Sequence, residues 1–510
     1  MSRRTLIRFT GPPALILLGV FVLAAPAVAT GTTVGTIVQV PDQPFAQGCQ
    51  VVNQPSGSIN YPSAEVEPWV AVNPANSANI IGVFQQDRWN NGGAHGLVAA
   101  VSKDGGTSWS TTSASFDTCT GGTGTPTASG GDGYERASDP WVSFAPSGDA
   151  YQVSISFNGS NPDSGVLVSK SSDDGSTWST PVTLRFDNLS TVFNDKESVT
   201  ADPNTPTGSN AYVVWDQLVF PHRQAGQVGA ERTFAFRGPT WFSRTTNGGS
   251  SWQTARAIFD PGQENQTISN QIVVEPASKG GTLIDGFDLI HNFSNAGGLH
   301  GFSIALIRSA DQGATWSGPT VISKQVDAPV TLAGQPIRTG DIVPEFAVDP
   351  SNGNLYAVWQ DGRSGLAAIL FSMSTDGGST WTAPVQVSQA PSGNPAFTPT
   401  VRVAGDGTIG VSYYAANPTT ADTVLSMVTC QPSQTNCSKA ASWNGSQVQV
   451  AGPFNMLTAP FAEGFFVGDY EGLTTAGQHG FRPFFVMAQP EATTGDTDPF
   501  TTTVCPSIGC

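Results

Sequence analysis

Charge is what this sequence has least of. Only 12% of its 510 residues are Asp, Glu, Lys or Arg, and 39 acidic residues stand against 22 basic ones, for a net charge of −17 at pH 7. That deficit of cations argues against a nucleic-acid partner, which needs a basic footprint. Histidine occurs five times, scattered, and the six cysteines form no Cys-x-x-Cys. Neither a zinc ligand set nor a dithiol motif is therefore present. A Gly-x-Ser-x-Gly elbow and a Gly-rich phosphate loop are also lacking, so no cofactor and no metal is expected. Beyond residue 29 no apolar run approaches the roughly 20 residues of a membrane-spanning helix.

The apolar run that does occur is N-terminal. Arg3, Arg4 and Arg8 precede the stretch from Ala14 to Ala25, and Ala27-Val28-Ala29 has the small residues of a cleavage site. Residues 1–29 are read as a signal peptide and 30–510 as the exported chain, secreted or at the cell surface. All six cysteines lie in the exported part. Of the fifteen pairings six cysteines allow, Cys430–Cys437, Cys505–Cys510 and Cys49–Cys119 are preferred, the first two because they close short loops.

What is abundant is glycine with hydroxyl residues, and it is periodic. Ser374-Thr375-Asp376-Gly377-Gly378-Ser379-Thr380-Trp381 has the form Ser-x-Asp-x-Gly-x-Thr-Trp. It recurs at Ser309–Trp316, Ser171–Trp178 and Ser102–Trp109, and more loosely at Thr245–Trp252, with spacings of 64 to 74 residues. Asp accepts hydrogen bonds from backbone N–H groups just ahead of it, Gly supplies positive φ, and Trp anchors the outgoing strand. These are read as five structural turns. A single active site does not need one aspartate per repeat.

The motif resembles the Asp-box, or bacterial neuraminidase repeat, of sialidases and related β-propellers. The resemblance implies an all-β propeller of four-stranded antiparallel blades. First strands begin near Glu67, Asp139, Glu197, Gln271, Glu345, Thr398 and Asp469, which makes seven blades in one domain, residues 30–510. A six-bladed, sialidase-like ring is the alternative. The last blade lacks a fourth strand, and Val34–Pro41 resembles one, so the N-terminus is expected to close the ring. Two long loops stand out, 117–138 and 217–239; the second carries His222, Arg223, Glu231, Arg232 and Arg237.

Propeller geometry brings the starts of first strands and the ends of second strands to one rim of the central channel. The candidate catalytic residues there are Asp87, Asp139, Glu197, Glu345 and Tyr413. The candidate substrate-binding residues are Arg88, Asp195, Asp216, Arg338, Asp341, Asp361, Arg363 and Asp469. So many ionisable groups in one cleft point to a ligand site. The resemblance implies a tyrosine nucleophile activated by a glutamate, an aspartic acid, and an arginine clamp on a sugar carboxylate; strand-end position, and no motif, offers Arg88, Arg338 and Arg363 for the clamp. The chain departs from sialidases in lacking their Arg-Ile-Pro segment. The expected protein is a monomeric glycoside hydrolase acting on a glycan or glycoconjugate with an acidic sugar. A non-catalytic glycan- or protein-binding propeller and a polysaccharide lyase are the alternatives.

Overall fold

The computed structural model describes residues 31–45, 49, 54–221, 237–291, 301–489 and 495–506. The leader, Cys510, and His222, Arg223, Glu231 and Arg232 of the second long loop lie outside the described residues. The fold is an all-β propeller. Among the described residues there is no α-helix, only short 3₁₀ turns. Strands follow one another in antiparallel order. Sheet one runs Val66–Val72, Ile80–Arg88, Ala94–Ser102, Ser110–Thr112. Six further antiparallel runs of strands, numbered two to seven as sheets although edge pairings join one to two and three to four, begin with Arg136–Phe144, Val192–Ala201, Asn265–Val274, Glu345–Val348, Ala396–Val403 and Gly472–Ala476. The first strands of neighbouring sheets contact one another in sequence, and the first strand of sheet seven contacts that of sheet one.

Sheet seven takes its outer strand from the other end of the chain. Val38 and Gln39 pair with Thr501 and Phe500, and Thr33 and Val34 pair with Cys505 and Val504. Val40 is fully buried against Phe84, Val98 and Phe484, so the seam is packed as well as hydrogen-bonded. Disulfides join Cys49 to Cys119 and Cys430 to Cys437.

The repeated octapeptides close the hairpins between third and fourth strands. Asp376 Oδ1 accepts from the N–H groups of Ser379 (3.1 Å) and Thr380 (2.9 Å), and Oδ2 accepts from Thr380 Oγ1 (2.6 Å). Donation from Thr380 and Ser374 holds the Asp376 carboxyl at about 2. Gly378, at φ 78°, donates its N–H to Ser374 Oγ at 3.0 Å. Its counterparts press against the preceding sheet: a Cβ on Gly313 would meet Phe242, one on Gly175 would meet Ile81, and one on Gly106 would meet Arg482 of sheet seven. Each turn thus fixes its own hairpin and docks it on its neighbour. Asp376→Ala removes exposed turn hydrogen bonds and is expected to cost about 1 kcal/mol. Thermal melting beside a glycan-binding assay checks this: wild-type stability with lost binding would make the turn functional instead.

Candidate functional site

The first strands share a local distortion. Glu67, Asp139, Lys196, Ser269 and Thr398 have φ of 55°, 54°, 48°, 63° and 50°, and the pairing register shifts at each place. Positive φ in residues with a Cβ costs on the order of 1 kcal/mol or more and persists only where the surroundings impose it. Such a bulge re-aims a side chain out of the regular alternation. Here it turns three charged residues from successive sheets toward one another.

Lys196 is their centre. Its Nζ lies 3.1 Å from Asp469 Oδ2, 3.6 Å from Asp139 Oδ1 and 3.7 Å from Glu67 Oε1, with only 11% of the side chain exposed. Burial alone would lower the lysine's pKa. The three carboxyl groups outweigh it and hold the ammonium well above its ordinary value. Burial pushes Glu67 well up, against the pull of Lys196, while Lys196 and hydrogen bonds from Glu67 and Ser138 outweigh burial at Asp139 and keep it low. Glu67 and Asp139 thus form a coupled pair whose proton affinities are driven apart. Below them Glu197, with no hydrogen-bond partner on either carboxyl oxygen, is driven well up by burial and by Asp139. Glu345 reaches about 8, through burial, although Arg402 and Gln271 oppose it.

Tyr470 packs against this cluster, 5.4 Å from the Trp141 ring, which in turn stacks on Trp69 at 3.4 Å. Its hydroxyl donates to Pro140 O at 3.2 Å. Burial and the surrounding carboxyl groups push its pKa far up.

Above the cluster opens a cavity of about 370 Å³. Its lining combines the polar residues Asp195, Lys196, Arg338, Asp341 and Asp469 with the apolar residues Leu218, Ile268, Ile290, Phe302 and Ile337. Arg338 grips Asp469 with Nε–Oδ1 at 2.9 Å and Nη2–Oδ2 at 2.5 Å. Its guanidinium lies 4.3 Å from the Phe466 ring, and Arg88 approaches the same ring at 5.1 Å. Phe466 belongs to the segment entering sheet seven. That segment pairs with the backbone of Arg338 through Phe465 O at 3.0 Å.

The expected residues thus divide. Asp195, Arg338, Asp341 and Asp469 line the cavity, and Asp139, Glu197 and Glu345 line the narrow void beneath it. Tyr413 does not come near: it is fully buried inside sheet six and its hydroxyl donates to Gln447 Oε1 at 3.0 Å. No residue of its strand, Ile409–Ala416, lines the cavity. Arg363 points outward, paired with Asp361 at 2.8 Å and bonded to Ser323 Oγ. Hence the three arginines do not converge as a clamp.

Asp87, Asp216 and Asp361 are occupied in holding backbone. Asp87 accepts from the N–H groups of Phe45 and Ser63, both at 3.0 Å. Asp216 accepts from Ser269 N–H at 2.8 Å, in the bulge of sheet four, and burial raises it to about 7. Asp361 accepts from the N–H groups of Arg363 at 2.9 Å and Val326 at 3.3 Å, and from Trp359 Nε1–H at 3.0 Å. Counting from strand ends puts Lys196 on the rim but gives it no role, and Phe466 is not singled out from sequence; the positive-φ bulge that aims Lys196 has no local sequence signal.

No family model and no curated protein matches the sequence. Solved structures that resemble the fold include an α-L-arabinanase from Penicillium chrysogenum, at 12% identity over 72% of this chain and 92% of that one, with a TM-score of 0.45. An α-L-arabinofuranosidase from Fusarium graminearum gives 12% identity, 93% and 98% coverage, and a TM-score of 0.44. A polysaccharide lyase described as an ulvan lyase gives 14%, 68% and 76%, and 0.43. Likeness at this level assigns neither a substrate nor a role to any residue.

Proposed function

We propose that the protein is a secreted glycan-acting propeller, a glycoside hydrolase whose substrate sits in the cavity above Lys196. In this reading the seven sheets are seven blades of one closed domain, residues 30–510, exported behind the leader 1–29. The observation that carries it is the convergence of Glu67, Asp139, Lys196 and Asp469 beneath a half-apolar cavity, with proton affinities driven apart. Glycoside hydrolysis needs one carboxyl that keeps its proton and one that has lost it. Burial raises Glu67 and Glu197, and Lys196 with hydrogen bonds outweighs burial to lower Asp139, so in this reading the first two are the proton holders and Asp139 the ionised partner. The apolar residues of the lining suit a sugar's C–H face, and its polar residues suit the hydroxyls.

The charge balance favours a neutral glycan over an acidic one. Both cations lining the cavity, Lys196 and Arg338, are bound to Asp469, and Asp195, Asp327 and Asp341 add negative charge to its walls. A tyrosine nucleophile is also disfavoured, because the carboxyl groups around Tyr470 oppose its ionisation.

A panel of neutral and acidic aryl glycosides tests this, with Asp139→Asn and Asp469→Asn beside the wild type. Each variant is expected to lose roughly 10²- to 10⁴-fold in kcat on neutral substrates. A wild type that turns over nothing yet binds glycans would establish the non-catalytic propeller. An unsaturated, ultraviolet-absorbing product would establish a lyase, and turnover confined to acidic sugars would restore the arginine reading.

A further inference from the structure

The seam where the chain closes on itself brings three carboxyl groups together. Asp42 follows the N-terminal strand, Glu65 immediately precedes the first strand of sheet one, and Asp498 lies in strand Thr497–Thr501 of sheet seven. One oxygen from each lies within 4.8 Å of the other two. Glu65 is fully buried, its Oε1 accepts from the Gln86 amide, and its Oε2 has no hydrogen-bond partner. Among the described residues none of the three is in an ion pair. Burial, then the like charges of Asp498 and Asp42, hold Glu65 well above the carboxylate range. Burial likewise lifts Asp498 to about 6.

The backbone around them is fixed. Glu65 N–H donates to Thr497 O at 3.1 Å, Thr497 Oγ1 donates to Glu65 O at 2.7 Å, and Gln43 N–H donates to Gln86 Oε1 at 2.9 Å. Three acids held this close, one with an unsatisfied buried oxygen, repel one another and leave a desolvation penalty unanswered.

We propose that this seam is a binding site for a divalent cation of the calcium type, ligated by Asp42, Glu65 and Asp498. Every donor is a carboxylate oxygen, which suits a hard cation and not zinc or copper. Asp42 is exposed and supplies the entry side, while Glu65 and Asp498 form the buried floor. The ion converts a repulsive junction into an attractive one. It ties together the N-terminal segment, the last sheet and the first, so its effect falls on closure of the fold and not on the cavity above Lys196.

The test uses the full chain stripped with a chelator. Calorimetric titration with Ca²⁺ and thermal melting in Ca²⁺ or Mg²⁺ are run on the wild type and on the double variant Asp42→Asn, Asp498→Asn. The wild type is expected to bind one Ca²⁺ and melt several degrees higher with it, with a smaller gain in Mg²⁺. The double variant is expected to show no calcium-dependent gain, yet to melt at or above the chelated wild type, because its mutual repulsion is gone. That reversal of sign separates ligation from a merely structural role. No heat of binding at millimolar Ca²⁺, or an equal calcium-dependent gain in the variant, overturns the proposal.

Discussion

At pH 8, Lys196→Met is expected to destabilise the protein by about 3–5 kcal/mol, the usual cost of removing one partner from a buried charge cluster. The ammonium is the shared counter-charge of Asp139, Asp469 and Glu67, all within 3.7 Å. Without it, carboxylates with at most 7% of their side chains exposed are left facing one another. At pH 5 the cost is expected to shrink, because the orphaned carboxyl groups take up protons.

The wild type has a pH dependence of its own, with the same origin. Burial raises Glu345 to about 8 and Asp216 and Asp117 to about 7. The native state therefore holds protons that the unfolded chain releases near pH 4. Their contribution is complete below the unfolded value and is lost as pH rises from there to the folded values of 7 and 8, at roughly 1.4 kcal/mol per pH unit for each group over that span. The turn aspartates act in the opposite direction. Donation from Ser108 lowers Asp104 to about 2, and that from Thr380 does the same for Asp376. Their contribution is present above the ordinary carboxylate value and lost as pH falls toward 2. Lys196, with its raised pKa, holds its share throughout the neutral range. Maximum stability is therefore expected on the acid side, near pH 5. Denaturation midpoints from pH 4.5 to 9 on both proteins measure this. Wild-type stability that climbs from pH 6 to 9, or a variant as stable as wild type at pH 8, would show that the buried acids do not carry these protons.

How much of this could be read from sequence depended on the range over which each feature is encoded. The turns were legible because their hydrogen bonds span at most four residues, as between Ser374 and Gly378. The strands inherited that clarity from the turns between them, and the disulfides Cys430–Cys437 and Cys49–Cys119 followed the preferred pairing. The site was legible only as a rim. Counting from strand ends placed Asp139, Glu197, Asp195, Arg338, Asp341 and Asp469 close to the channel. It could not tell Asp216, which holds the bulge of the next sheet, from Asp195, which faces the cavity, although the two pair directly across the sheet. Nor could it choose among the phenols: Tyr413 lies inside sheet six, and the phenol beside the cluster is Tyr470, carried by the segment leading into the innermost strand of sheet seven. The acids of the closure seam escaped notice because Asp42 and Asp498 stand at opposite ends of the chain, beyond any local motif.

Deleting residues 31–41 is expected to abolish the cooperative melt altogether. The segment contributes the paired residues Thr33, Val34, Val38 and Gln39 at the edge of sheet seven. It also contributes the bonds from Gly35 N–H to Thr503 O at 2.8 Å and from Val40 N–H to Pro499 O at 2.9 Å. Its loss bares the hydrogen-bonding edge of strand Thr497–Thr501, an open template for another chain. Removing Val40 also opens the apolar contact with Phe84 and Phe484, worth about 1.5–3 kcal/mol for one fully buried side chain. Because the first strands of sheets seven and one touch, a loosened last sheet leaves the first without its neighbour, and damage at the seam spreads around the ring. Aggregation on gentle warming and a broad, non-cooperative transition are the expected readouts. Supplying residues 31–41 as a separate peptide should restore part of the transition if pairing is what was lost. A truncated chain that melts sharply as a monomer would show that the remaining contacts between sheets seven and one close the ring without the N-terminal strand.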